Sequence, residues 1–358
     1  MNRRAKSTVI MFLFLTIGLT IFIPQVQAQE TPLFKVGVSI APLAGMVKAV
    51  GGVYVETFVI LPEGTEPHAA QLPTQAILDA QEADLLVLTG HFPWEEDLVL
   101  QVAVDFITMD NESALASYHD FGARYSPMPG EEHVELHSSA QEHEHVGNPH
   151  GWWLLPENAI AIANATRVAF SILNSTYSSY WETSFQQFVD DINAFQDLVI
   201  SLDETYHFST MKAVVIFPAE AYIAEAFGIE AVAYLQEGSV QISSNQLLEV
   251  QAALRNGSVH LILGSDVAKL QSAGEFAEQL IEDYGGTLIW LRAVSFSGLS
   301  DYISVMTYNL GALISGLEFG IVAPSYSEMI LILLAATSIL AVIVIIETIL
   351  LIQRARAE

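Results

Sequence analysis

The sequence predicts an α/β fold in which two parallel-sheet lobes are joined by a long rigid helix, with an N-terminal signal peptide and a C-terminal transmembrane helix. Three features of the sequence predict this arrangement. Segments typical of strands alternate with segments typical of helices in both halves of the chain. One long amphipathic segment separates the two halves. Apolar runs lie near both ends of the chain.

Residues 1–28 are typical of a signal peptide. Arg3, Arg4 and Lys6 precede an apolar run, and a small-x-small cleavage motif ends at Ala28. The apolar run is shorter than the roughly 20 residues that a membrane-spanning helix prefers. We therefore expect the body of the protein to be exported.

Residues 29–178 are expected to form an N-terminal α/β lobe. Its predicted elements are strands at 34–40, 53–60 and 84–89 and helices near 43–50, 74–81 and 156–173. The strand at 84–89 has no polar face, as expected for a strand that is covered on both sides of a sheet. A polar, His-rich loop at 125–148 interrupts this lobe.

A linking helix is predicted at 179–208, where large apolar residues recur at spacings of three and four. Residues 209–318 then repeat the opening pattern and are expected to form a C-terminal α/β lobe. Its predicted elements are strands at 213–217, 231–234, 259–263 and 287–291 and helices at 219–227, 244–255 and near 276–284.

A transmembrane anchor is predicted at 327–352, where the low-charge apolar run is long enough to cross a bilayer of roughly 30 Å. Arg354 and Arg356 follow directly, so the positive-inside rule places the tail at 353–358 in the cytoplasm. The expected product is a single-pass protein of the cell membrane with an extracellular ectodomain.

The composition excludes several classes of function. The chain has 41 acidic and 13 basic residues and a formal charge of −28, which opposes binding to nucleic acid. It has no cysteine, so a metal would have to be held by histidines and carboxylates. The common sequence signatures of hydrolases, zinc peptidases and nucleotide-binding loops are absent, and we expect no enzymatic activity.

Histidines are the residues most able to carry chemistry in this sequence. His133, His137, His143 and His145 fall in the polar loop, and His150 follows it. His68 and His91 each follow a predicted strand. Because ligands of open parallel sheets bind beyond the carboxyl ends of the strands, His68 and His91 lie where a site is expected.

Several short motifs occur in an order that resembles the zinc- and manganese-binding solute receptors of ABC importers. The motifs are VGVSIAPLAGMV at 36–47, PEGTEPH at 62–68, DLLVLTG at 84–90 with Pro93-Trp94, the His-rich loop, NPH at 148–150, PENA at 156–159 and DYISVMTYNL at 301–310. The resemblance spans residues 33–316, nearly the whole ectodomain.

The resemblance implies that a metal ion is held between the two lobes and delivered to an ABC permease and its ATPase. It implies that His68 and His150 are the ligands from the first lobe. The third ligand of the family, a His or Glu, is matched here by Phe217, and the fourth, an Asp, falls near Arg292. Phenylalanine cannot coordinate a metal, and an arginine repels a cation. The second lobe therefore lacks the recognisable ligands of the family.

Three arrangements of the site remain open. In the first, Glu220 turns into the cleft and Asp266 or His91 completes the shell. In the second, His68, His150 and His91 bind the metal alone and leave open positions for water. The third is a cleft for another solute, such as a metal chelate, with Arg292 as the contact to its negative charge.

The functional prediction is a membrane-anchored extracellular receptor that captures zinc, with manganese as the second candidate, for an ABC importer. The loop histidines His133, His137, His143 and His145 are expected to collect zinc and pass it to His150. The alternative is a surface protein or sensor that has the receptor fold but has lost metal binding, or that binds a chelate or another small solute.

Overall fold

The computed structural model describes residues 32–62, 65, 67–130, 147–238, 240–294, 298–299 and 301–319. The predicted signal peptide, the predicted anchor and its tail lie outside the described residues, as do His133, His137, His143 and His145. Among the residues that are described, no helix is long and apolar enough to cross a membrane.

The first sheet contains five strands, all parallel to their neighbours. They are β1 (Phe34–Val38), β2 (Val55–Val59), β3 (Leu85–Val87), β4 (Phe106–Thr108) and β5 (Ala116–Ser117). Their order is β2-β1-β3-β4-β5. Strands β1 and β3 lie inside the sheet, and all three residues of β3 are buried, as its apolar sequence predicts.

The helices of this first part are α1 (Ala41–Gly51), α2 (Thr74–Gln81), α3 (Pro93–Val102) and α4 (Pro156–Leu173). Three elements of this part were not predicted from the sequence, namely α3, β4 and β5. The two strands are only three and two residues long, too short for a two-residue alternation to be recognised. Helix α3 begins at a proline and has Glu95 in its first turn, which are both helix-start signals.

Helix α5 (Ser178–Tyr206) is the predicted linking helix. Its 29 residues correspond to a length of about 44 Å. One side is apolar and buried, and consists of Trp181, Phe188, Ile192, Phe195 and Val199. This stripe packs α5 against α1 and α4, so the helix is held along its length rather than free in solvent.

The second sheet has the strand order β11-β10-β6-β7, again with parallel neighbours. The strands are β6 (Lys212–Val215), β7 (Glu230–Tyr234), β10 (Leu261–Ser265) and β11 (Thr287–Leu291). A short antiparallel hairpin of β8 (Gln236–Glu237) and β9 (Val240–Gln241) follows β7. The helices are α6 (Glu220–Ala226), α7 (Ser244–Asn256), α8 (Ser272–Tyr284) and α9 (Tyr302–Phe319).

The part built on the first sheet, residues 33–173, is called lobe one below, and residues 209–319 are called lobe two. The two lobes share one apolar core, to which Trp153 of lobe one and Tyr222 of lobe two both belong. Hydrogen bonds also join them. The Asn148 side-chain amide donates to the carbonyl oxygen of Pro218 at 2.8 Å, and the Trp153 indole donates to that of Ala293 at 3.3 Å. The facing ends of the two sheets are therefore closely packed.

Candidate metal site

Three imidazoles from three separate segments of lobe one lie together at the carboxyl ends of the strands. His68 follows β2, His91 follows β3, and His150 precedes α4. Their ring centres are 4.8 Å (His68–His91), 5.1 Å (His68–His150) and 4.6 Å (His91–His150) apart. One nitrogen of each residue can be chosen so that all three lie within 4.8 Å of one another.

This spacing fits a single metal ion. Nitrogen ligands of a tetrahedral zinc ion lie at roughly 2.0–2.1 Å, which places the centres of bound imidazoles roughly 5 Å apart. His91 Nε2 and His150 Nδ1 are separated by 3.0 Å, which is a hydrogen-bond distance. Roughly 3.3 Å is expected for two nitrogens on one tetrahedral ion. The nitrogens of His91 and His150 are therefore close to the separation that a shared ion requires, and the limit of 4.8 Å for all three residues places His68 within reach of the same ion.

Glu95 fixes the loop that carries His91. Its carboxylate accepts hydrogen bonds from the backbone N–H groups of Thr89 at 2.8 Å, His91 at 3.0 Å and Phe92 at 3.2 Å. The Thr89 hydroxyl also donates to it. Glu95 is buried, and this burial raises the pKa of its carboxyl. The buried acid thus holds the turn after β3 in one conformation.

The loop that carries His68 is held by the residue next to Glu95. The Trp94 indole N–H donates to the carbonyl oxygen of Pro67 at 3.0 Å. The ring of Phe92 also packs edge-on against His68, with ring centres 5.3 Å apart. The first turn of α3 therefore positions two of the three histidines.

His150 is held where the two lobes meet. Its backbone N–H donates to the Asn148 side-chain oxygen at 3.0 Å, and the same Asn148 amide bonds to lobe two. The next residue, Gly151, has a φ of 79°, and a Cβ there would lie 2.8 Å from the Cα of Ala219. A glycine is required here because the backbone turns left-handed against lobe two.

The environment of His91 and His150 favours the neutral form of the imidazole, which is the form that binds metal. Burial, with smaller contributions from His150 and His68, lowers the pKa of His91 to about 3. Burial also lowers the pKa of His150, followed by the effect of His68. A neutral imidazole offers one lone pair to a metal, so binding to these two rings releases no proton near neutral pH. The proton shared between His91 Nε2 and His150 Nδ1 nevertheless has to move to another ring nitrogen.

The three histidines line a cavity of about 390 Å³ between the lobes. The wall from lobe two is mainly apolar and includes Phe217, Pro218, Ala219, Val267 and Ala293. Phe217, which the resemblance matched to a family ligand, thus faces the same cavity as the histidines. Of the lining residues that the structure describes, those from lobe two include no histidine and no carboxylate.

Glu237 is the carboxylate of lobe two that comes close to the histidines. Its Oε1 lies 3.6 Å from Nε2 of His150, and its side chain is 46% exposed. The sequence reasoning missed this residue, because β8 and β9 are two residues each and their contact to lobe one depends on how the lobes pack.

Glu220 lies behind the cavity wall. It is completely buried, and its two oxygens accept backbone N–H groups of Phe217 at 2.7 Å and Ser265 at 2.8 Å. Burial raises the pKa of its carboxyl to about 7. Among the described residues that line the cavity, Glu220 is absent. Its carboxylate joins the ends of β6 and β10.

Arg292 and Asp266 line a second cavity, of about 550 Å³, together with Lys269, Trp290 and Tyr308. The guanidinium of Arg292 lies over the ring of Tyr308, 5.6 Å from its centre. The Asp266 carboxylate accepts the N–H of Ala293 at 3.2 Å. The structure thus places both residues in a cavity other than the one that the histidines line.

Comparison with known families is decisive for the identity of this fold. The family model of ZnuA, the periplasmic zinc-uptake complex component A, matches residues 36–316. The chain belongs to the ZnuA family. A comparison of the sequence with curated proteins finds no match.

Solved structures with the ZnuA-family fold resemble the chain over most of its length. A zinc-bound deletion mutant of ZnuA has a TM-score of 0.61 and 18% identity, covering 79% of this chain and 97% of that one. FpvC of Pseudomonas aeruginosa in complex with Mn²⁺ has a TM-score of 0.60 and 16% identity, covering 80% and 99%. A metal-free mutant of the periplasmic metal-binding protein of Candidatus Liberibacter asiaticus has a TM-score of 0.60 and 18% identity, covering 79% and 99%. At these identities the likeness establishes the shared fold.

Proposed function

We propose that this protein is the solute-binding receptor of a metal ABC importer, and that it captures zinc between its lobes with His68, His91 and His150. The observation that carries the proposal is the convergence of these three imidazoles at one end of the first sheet. The ion is the transported substrate, and a membrane permease with its ATPase is the partner to which the receptor delivers it.

The chemistry of the donors favours zinc over manganese. Imidazole nitrogens suit zinc and other late first-row metals, whereas manganese prefers oxygen donors. Manganese remains the second candidate, because an FpvC structure holds this ion in the same fold. Of the three arrangements left open by the sequence, the three-histidine site fits the described geometry best.

The proposal includes the domain boundaries and the location expected from the sequence. It keeps 29–178 and 209–318 as the two lobes, 179–208 as the linking helix, 1–28 as an export signal and 327–352 as a membrane anchor. The flanking charges support an extracellular body. An anchor of this kind would keep the receptor near its permease.

The second candidate is a receptor-like surface protein that binds a chelate or no metal at all. The observation in its favour is the wall of lobe two, where the cavity is lined by Phe217, the residue that the resemblance matched to a family ligand. Binding of a zinc chelate that requires Arg292, without binding of free zinc, would favour this candidate. Arg292 counts against this candidate, because it lines a neighbouring cavity and is not among the residues that line the cavity of the histidines.

Metal titration of the chelator-stripped full chain tests the proposal. We expect one tightly bound zinc ion per chain, in addition to any zinc that the loop histidines hold loosely, and weaker binding of manganese. Each of His68→Ala, His91→Ala and His150→Ala should lower zinc affinity by more than the roughly 10- to 100-fold typical of a residue that only supports a ligand. The matched control is His119→Ala, which removes an exposed histidine of lobe one away from the cavity. Zinc affinity equal to wild type in all three variants would disprove the proposal.

A further inference from the structure

We propose that Glu237 of lobe two is the outer carboxylate of the metal site, which accepts a hydrogen bond from Nε2–H of His150 and so presents Nδ1 of that imidazole to the ion. Glu237 is a positioning residue in this role rather than a ligand. The proposal rests on the function proposed above, in which His150 is one of three ligands.

The orientation of the His150 ring is the first support. Its two nitrogens face opposite partners, with Nδ1 3.0 Å from His91 Nε2 and Nε2 3.6 Å from Glu237 Oε1. A neutral imidazole has one N–H and one lone pair. If the proton lies on the side of the carboxylate, the lone pair of Nδ1 points to the other histidines. The ring can then bind metal in the orientation that it already has.

The hairpin that carries Glu237 is held at the cavity by backbone hydrogen bonds, which is the second support. The N–H of Gln236 donates to the carbonyl oxygen of Ile216 at 3.0 Å, directly after β6. The Gln236 side chain donates to the carbonyl oxygen of Gly238 at 2.7 Å. Gln236 and Gly238, on either side of Glu237, both line the cavity.

The distance of 3.6 Å between Oε1 of Glu237 and Nε2 of His150 is only slightly longer than a hydrogen bond. An N–H···O bond is typically about 2.7–3.2 Å long, so Oε1 has to move by several tenths of an ångström to reach Nε2. The half-exposed side chain of Glu237 has the freedom to do so. Ligand histidines commonly donate their second N–H to a carboxylate, which fixes the tautomer and the ring orientation.

This assignment gives lobe two an influence on the metal although its cavity wall is apolar. The carboxylate crosses from the second lobe to a ligand of the first, so the packing of the lobes and the affinity for the ion are linked. Phe217 and its neighbours would then exclude water, while Glu237 supplies a charged contact from this lobe to His150.

Two substitutions of Glu237 in the full chain test whether this residue is an outer carboxylate or a direct metal ligand. Glu237→Ala should lower zinc affinity by about 10- to 100-fold. Glu237→Gln keeps an oxygen that accepts from Nε2–H and should restore most of this loss. The visible spectrum of the Co²⁺-loaded protein should be the same in wild type and both variants, because the ligands do not change. Glu249→Gln removes an exposed carboxylate of lobe two away from the histidine-lined cavity and is the matched control.

Two results would overturn the assignment. Zinc affinity equal to wild type in Glu237→Ala would show that the carboxylate has no influence on the site. An equal loss in both variants with an altered Co²⁺ spectrum would make Glu237 a direct ligand instead. The histidine variants distinguish these failures from failure of the proposed function: if they also bind zinc as wild type does, the three-histidine site itself is wrong.

Discussion

Among the described residues, each lobe buries one glutamate at the carboxyl end of its sheet, and the two glutamates hold different loops. Glu95 of lobe one accepts backbone N–H groups from the loop of His91. Glu220 of lobe two accepts backbone N–H groups of Phe217 and Ser265. Both acids are fully or almost fully buried, and burial raises the pKa of both. In both lobes, therefore, a buried carboxylate that accepts backbone N–H groups holds a loop, and this loop carries a histidine in lobe one and a phenylalanine in lobe two.

The residues that hold a loop of the site in place and the side chain that the loop presents to the cavity can therefore vary independently. A buried carboxylate that satisfies backbone N–H groups stabilises a loop whatever side chain the loop carries. The choice between an imidazole and a phenyl ring at the cavity decides whether that lobe can hold a metal. In the proposed site the metal ligands are the three histidines of lobe one, and the cavity wall opposite them comes from lobe two.

The largest difference in zinc affinity between the lobes is expected when the buried glutamate of each lobe is replaced by glutamine. Glu95→Gln should lower zinc affinity by about 10- to 100-fold, because the loop of His91 loses its support. Glu220→Gln should change zinc affinity by less than about twofold, because its partners carry no ligand. Both variants should unfold more easily, by about 1–3 kcal/mol, since each leaves a backbone donor with a poorer acceptor. Zinc titration and urea unfolding of the two variants measure these effects. An equal loss of zinc affinity in both would mean that Glu220 takes part in the site.

The pH dependence of stability sharpens the description of Glu220. Its pKa in the folded state is about 7, above the ordinary value of 4.5, so between these values the folded protein retains a proton that the unfolded chain has lost. Stability should therefore fall as the pH rises from about 4.5 to about 7, by about 3 kcal/mol in total, and level off above. Urea unfolding of wild type and Glu220→Gln between pH 5 and pH 8 isolates this contribution as their difference. A difference that is independent of pH would show that Glu220 is ionised throughout.

The smallest effect is expected from restoring a ligand to lobe two. Phe217 lines the cavity of the three histidines, so Phe217→His would offer a fourth imidazole. A fourth ligand should raise zinc affinity about tenfold, or about 1.4 kcal/mol. Phe217→Leu controls for the loss of the aromatic ring and should bind zinc as wild type does. If both variants bind zinc equally, lobe two cannot bring a ligand at this position to the ion.

Regular elements of this fold could be predicted from the sequence alone. Helices α2 and α4 and strand β11 have the predicted bounds, because proline starts, clear periodicity or a continuous apolar run mark them. The strands that were missed are the short ones, whereas α3 was missed although it has signals of a helix start. Strands of two or three residues are stabilised by pairing with the neighbouring strands of the sheet, and their own sequence is too short to show a pattern that predicts them.

The residues of the site also differ in whether the sequence predicts their positions. The positions of His68 and His91 could be predicted because parallel strands bring the residues that follow them to one edge. The position of His150 followed from a resemblance. Glu95 carries a signal that was not used, an acid in the first turn after Pro93. Glu237 carries none, since its contact to His150 spans 87 positions and depends on the packing of two lobes.

X-ray absorption at the zinc edge of the zinc-loaded full chain tests the central claim most directly, because the number of imidazoles bound to the ion can be counted from it. Three imidazole nitrogens at about 2.0–2.1 Å are the result expected for His68, His91 and His150. A zinc shell with two imidazoles or fewer would contradict the account.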